Sequence, residues 1–215
     1  MSIDREEQFQ IHELGALLTF TKWISSHEQG IAEWLKNVRR AYREDRANVL
    51  DAHRVAVILM MDGKCDGPPA RFGVLDVGGA TLEDVNKWSV WQDYTASGRG
   101  SELSEELTQG NGSKAYMYKR FSGRARLLGV KDGKLNCKGF EGPAQTLERG
   151  TARYLPKLAS ARDLPVSTWE AELADALRPY KLRIDELPVD VQKAVEARGA
   201  FTLVEGIDPK DLHSS

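Results

Sequence analysis

RFGVLDVGGA, residues 71–80, sets an unbroken apolar run against a single acid, Asp76, and closes on Gly78, Gly79 and Ala80. The run reads as a strand, and Asp-x-Gly-Gly is also the composition of an ordinary turn. Upstream, RVAVILMM at 54–61 is β-branched and apolar and stops at Asp62-Gly63. It predicts a buried strand, followed by a Gly/Pro loop through Pro69. Before it, Ile31, Trp34, Leu35, Val38, Ala41 and Tyr42 recur at helical spacing, which predicts an amphipathic helix entered at Gly30 and ending within 46–50. Helix, strand, loop, strand brings Asp76 to a strand end.

Downstream, residues 81–108 turn polar and are broken by Ser97, Gly98, Gly100 and Ser101, with a helical rhythm only over 82–91. Such a stretch has the character of a lid. GNGSKAYMYKR follows at 110–120 and predicts a short helix from Gly112 through Tyr118. Strands at 124–130 and 135–140 flank Lys131-Asp132-Gly133-Lys134, whose central Asp-Gly is a strong hairpin signal. Two helical patterns come next, at 167–177 with Ser167 as N-cap and Glu170 three residues on, and at 188–198. The last strand is expected at 200–205, so that 146–198 forms a helical insertion before it.

With 215 residues, 41% hydrophobic and 29% charged, the whole chain, 1–215, is expected to form one domain with a substantial core. A net charge of −2 gives no global attraction to nucleic acid or to an anionic membrane. Cys65 and Cys137 are too few and too far apart for a disulfide framework or a zinc knuckle, and they suit a reduced setting. The longest apolar run, 55–61, is too short to span a bilayer, and MSIDREEQFQ carries no apolar signal core. A cytoplasmic location is the expectation.

Three constellations carry chemistry. Glu33 and Asn37 stand four apart on the first helix, with roughly 5–6 Å between their β-carbons, at the margin of the apolar stripe. The carboxylate can polarise a water, and the amide oxygen can complete the shell of a magnesium ion that keeps several waters. In isolation the same pattern is that of a solvated helix face. Asp76 can accept a hydrogen bond from the exocyclic amine of adenine, with Gly78 and Gly79 removing β-carbons from the approach of a flat ring. A capping carboxylate at a strand-to-turn junction has the same sequence. Gly110, Asn111 and Gly112, leading through Ser113 and Lys114 into a helix, can present backbone N–H groups and a helix N-terminus to phosphate oxygens. A flexible loop before a helix is the plain alternative.

In this order the three elements resemble the GHKL, or Bergerat-fold, ATPases: gyrase-type topoisomerases, MutL, MORC proteins, heat-shock chaperones and the ATP-binding domains of histidine kinases. The resemblance covers about residues 20–140 and the final strand, AFTLVEGIDP. It implies an α+β, two-layer α/β sandwich, with a mixed sheet, helices on one face and an ATP lid. By that likeness Glu33 corresponds to the general base and Asn37 to the magnesium ligand. Asp76, Gly78 and Ala80 match the adenine motif, and Gly110, Asn111, Gly112, Ser113 and Lys114 match the phosphate loop. ATP and Mg2+ are the implied ligands, with a partner protein or a second copy as receiver of the signal. The family's second adenine-motif glycine is Ala80 here, its further phosphate-loop glycine is Leu107, and Arg40 stands where an acid is usual. Retention of Glu33 favours hydrolysis by water over transfer to a histidine.

Residues 114–138 hold eight Lys or Arg against one acid, Asp132, with Tyr116, Tyr118 and Phe121 interleaved. A patch of this kind can follow a phosphate backbone. Triphosphate neutralisation and solvation of an exposed hairpin are its alternatives. An ATP-binding switch with little hydrolysis, or a nucleic-acid-binding module, is therefore the competing expectation.

Overall fold

A computed structural model describes residues 24–44, 49–63, 69–88, 112–141, 157–158 and 162–209. The elements run α1 (His27–Glu44), β1 (Ala56–Met61), β2 (Arg71–Asp76), α2 (Leu82–Trp88), α3 (Gly112–Arg120), β3 (Phe121–Lys131) and β4 (Lys134–Glu141). Then follow β5 (Lys157–Leu158), β6 (Arg162–Pro165), α4 (Trp169–Leu177), α5 (Val189–Arg198) and β7 (Phe201–Pro209). Short 3-10 turns occupy Asp51–His53, Arg178–Tyr180 and Ile184–Glu186. The fold is α+β. Among the described residues its sheet has seven strands in the order β1-β2-β7-β3-β4, with β5 and β6 both pairing with β4.

Where a mixed sheet was expected, every strand pairing among the described residues is antiparallel. The last strand, β7, enters between β2 and β3 and runs against both. β2 is thus interior, and every residue from Phe72 to Asp76 is buried. Successive strand residues point to opposite faces, so both sides of β2 must be covered, as its unbroken apolar run requires. On one face Phe72 meets His27 of α1, ring centroids 5.3 Å apart. On the other, a Cβ at Gly73 would fall 2.5 Å from the Tyr180 hydroxyl. Helical residues therefore flank the sheet on both faces rather than one.

β1 is an edge strand and not the buried strand expected from its composition. Leu59 is buried, but Ile58 and Met60, on the alternate face of a strand whose described pairing is with β2 alone, are exposed. Among the described residues, the segment expected to be a helical insertion also contains β5 and β6, ahead of its helices. α4 is capped by Thr168 and not by Ser167: the Thr168 backbone is extended and its hydroxyl accepts from the N–H of Ala171. The Asp-Gly hairpin forms as read, with Asp132 and Gly133 both at positive φ.

α1 begins one turn earlier than expected. The Ser26 hydroxyl accepts from the N–H of Gln29, and the Gln29 side chain accepts from the N–H of Ser25, an arrangement close to a capping box. Trp34, Val38 and Tyr42 form its buried stripe. Gly30 lies inside the helix where α3 crosses it. A Cβ there would sit 2.0 Å from the Tyr116 ring. An exposed helical glycine gains roughly 1 kcal/mol on replacement by alanine, but overpacking costs about 1–3 kcal/mol. Gly30→Ala is accordingly expected to lower stability in urea melts, and a gain would show that α1 and α3 do not pack through this contact.

Candidate functional site

Asp76 ends β2 on the face covered by α1 and is 6% exposed. Its Oδ1 accepts from the N–H of Gly78 at 2.7 Å. Thr202, its register partner on β7, supplies a second hydrogen bond from its side chain. Burial pushes the carboxyl up to about 7, opposed by these two hydrogen bonds and by the charge of Arg198. Gly78 keeps the flank of the carboxylate open, since a Cβ there would lie 2.9 Å from Oδ1.

The turn that follows is held from several elements. Tyr42 of α1 accepts from the N–H of Val77 at 2.9 Å and donates to the carbonyl of Val55 at 2.6 Å. Burial first, then the charge of Asp76, raises the Tyr42 phenol well above its usual range. Arg198, at the end of α5, donates Nε to the Val77 carbonyl at 2.7 Å and Nη2 to that of Gly78 at 3.3 Å. Gly79 takes φ +72°, and a Cβ there would meet the Val130 carbonyl at 2.8 Å, so both conformation and space select glycine. Ala80 is buried, its carbonyl accepting from Asn136 Nδ2 at 3.0 Å.

Tyr42 sits on the same helix as Glu33 and Asn37. At about 1.5 Å per residue, Asn37 lies about 7 Å and Glu33 about 13 Å back along the axis from Tyr42. Glu33, with its side chain 13% exposed, receives Lys36 Nζ at 2.6 Å. The Asn37 side-chain oxygen accepts from Arg40 Nη2 at 3.1 Å. α3 runs against α1 in the opposite sense. Tyr116 meets Gly30 and Trp34, whereas Lys119 and Arg120, further on, bond the carbonyls of Ile24 and Ser25. The start of α3 at Gly112 therefore points toward the Asn37 end of α1. Ser113 is buried, its hydroxyl 4.0 Å from the Met117 sulfur, and Lys114 lies in the first turn of α3. Gly110, Asn111 and the Lys114 side chain are outside the described residues, as are the lid beyond Trp88 and Cys65.

Among the described residues no group of three or more His, Cys, Asp or Glu could hold a metal. Magnesium held by phosphates, waters and one amide needs no such group; the amide oxygen that Asn37 could offer such an ion is engaged by Arg40. The described basic side chains of the hairpin do not share one surface. Lys131, Lys134 and Lys138 fall on the Asp76 side of the hairpin by register, while Arg126 points the other way and meets Glu205 at 2.5 Å. Tyr116 and Phe121 are buried in the core and offer no ring for stacking.

Sequence reasoning missed Tyr42, Arg198 and Thr202 as parts of this site. Periodicity makes Tyr42 one of the α1 stripe and nothing more, and the other two lie in a helix and a strand that local pattern places but does not join to Asp76. The chain matches no family model and no curated protein. Among the described residues no helix is long and apolar enough to cross a membrane.

Because folding pushes Asp76 up to about 7, the folded chain binds this proton more tightly than the unfolded chain does. Stability from this group is greatest below the ordinary carboxylate range and falls as pH rises from there to about 7. Asp76→Asn keeps an acceptor for Gly78 and removes the charge. It is expected to be on the order of 4 kcal/mol more stable than the native chain at pH 8 and nearly equal at pH 4, by urea denaturation at both values. A difference that ignores pH would show that Asp76 ionises as readily folded as unfolded.

Proposed function

We propose that this chain is a magnesium-dependent ATP-binding and ATP-hydrolysing domain of the GHKL type, with a Bergerat fold, acting in the cytoplasm. The observation that carries it is the buried Asp76 carboxylate, flanked by Gly78 and Thr202 and joined through Tyr42 to the helix bearing Asn37 and Glu33. Asp76, when ionised, accepts from the amino group of adenine, and Gly78 leaves the base room to reach it. A nucleotide laid back along α1 from there meets Asn37 and then Glu33, with the N-terminus of α3 offering its N–H groups to the phosphates. Glu33 orients and deprotonates the attacking water. Magnesium, when bound, neutralises phosphate charge, and the Asn37 oxygen now engaged by Arg40 is the atom that would hold it.

Closure of the 81–108 segment on the nucleotide would report its state to a partner protein or to a second copy of the chain. An occupancy switch with little hydrolysis uses the same residues apart from Glu33, so turnover separates the two. The dispersed basic residues favour the nucleotide over nucleic acid.

A ligand at 100 times its Kd adds about 2.7 kcal/mol to stability, so millimolar ATP or a non-hydrolysable analogue with magnesium is expected to raise the melting temperature by several degrees. Absence of any shift would overturn the assignment. Glu33→Ala is expected to cut phosphate release by about 100-fold or more while leaving nucleotide affinity nearly unchanged. Equal phosphate release from both proteins would leave the occupancy switch in its place.

A further inference from the structure

We propose that Arg198 is a positioning residue for the base-recognising turn, tying the helical unit of residues 167–198 to Val77 and Gly78 and setting how Asp76 meets the adenine amino group. The inference rests on the ATP-binding reading above. Two consecutive carbonyls, those of Val77 and Gly78, accept from one guanidinium. The N–H of Gly78 lies between them and is the group that holds Asp76 Oδ1. A rigid planar fork fixes both carbonyls in one defined geometry, whereas an ammonium on a flexible stem holds them with less directional control.

The surroundings of Asp76 give that guanidinium a second effect. The groups facing Asp76 are the Tyr42 phenol of α1, the Thr202 side chain of β7, the Gly78 N–H and Arg198 of α5. Arg198 is the one of these that carries a positive charge. It acts against the burial that favours the protonated acid, and so widens the pH range in which Asp76 is an acceptor.

Arg198 and Thr202 also arrive from one stretch of chain. α5 ends at Arg198, Gly199 closes it at φ +58° with its N–H on the Val195 carbonyl, and β7 begins at Phe201. α5 itself packs on the Asp51–His53 turn that precedes β1. Displacement of α5 would therefore move two of the groups that touch Asp76 or its turn. The unit for which local pattern gave no role becomes a lever on base recognition.

The test uses the full chain with Arg198→Met and Arg198→Lys. ATP affinity is measured by calorimetry from pH 5.5 to 8.5, KM and kcat by phosphate release, and the Asp76 titration by carboxyl carbon NMR in the ligand-free protein. Arg198→Met is expected to weaken ATP about tenfold, to raise KM with kcat within about twofold, and to move the Asp76 midpoint upward by roughly half a unit or more. Arg198→Lys keeps the charge and hence the midpoint, but loses the rigid fork on the two carbonyls and weakens ATP by a few-fold. A midpoint and a Kd unchanged in Arg198→Met would overturn the proposal. If that variant does not fold, Arg198→Lys decides, and affinity equal to the native chain overturns it. A native chain that binds no ATP at any pH defeats the ATP reading itself, and the ligand-free titration then shows separately whether Arg198 acts on Asp76.

Discussion

The central strand pair, β2 and β7, is buried on both faces, and each face carries one carboxylate that must be answered without water. Glu205 is fully buried and lies on the face away from α1. Arg126 at 2.5 Å, Arg71 at 3.5 Å and the Tyr180 hydroxyl at 2.9 Å surround it. Such a compensated ion cluster holds elements together: it joins β2, β3 and β7 to the turn after α4. Asp76, on the other face, has two neutral hydrogen bonds and a cation whose bonds go to the neighbouring carbonyls. Burial pushes it up to about 7, only partly opposed by these three groups.

The two layers are built from different materials. On the α1 side an aromatic cluster does most of the joining: Trp34 stacks on Phe121 at 6.0 Å, and Tyr116 packs edge-on against both. His27 closes it, meeting Phe72 and bonding the Tyr116 hydroxyl at 2.9 Å. Large rings with defined geometry fix how α3 lies on α1, and thereby where the start of α3 points. The opposite layer uses aliphatic burial, with Leu173, Leu177, Val191 and Val195 enclosed, together with the polar tie at Glu205. Residues 77–80 are the place where both layers meet. Tyr42 reaches them from one side and Arg198 from the end of the other, so the turn next to Asp76 depends on the packing of the whole domain.

Much of the fold was legible where a local rule decides it. The α1 stripe, the Asp-Gly hairpin, the final strand and the strand ending at Asp76 all follow from periodicity or turn chemistry. The start of α1 is set by Ser26-x-x-Gln29 and not by Gly30, which the closeness of the Tyr116 ring requires. The apolar run 72–75 carried a sign of cover on both faces, because a strand with one wet face alternates. β1 misled for the opposite reason: its composition is that of an interior strand, and only its place at the sheet edge exposes Ile58 and Met60.

The sequence by itself determined the elements and the order of the chemistry-bearing residues, since both depend on neighbours a few positions apart. Glu33 and Asn37 share a helix margin, and Asp76 ends a strand before glycines, whatever the rest of the chain does. Only the tertiary structure decided that the last strand enters the middle of the sheet, with Thr202 opposite Asp76, and that Arg198 closes on the turn. Those pairings join residues distant in sequence, and no local propensity encodes which strand edge or carbonyl a distant donor will find. The ionisation of Asp76 belongs to the same class, because burial and the field of Arg198 exist only once both layers have packed.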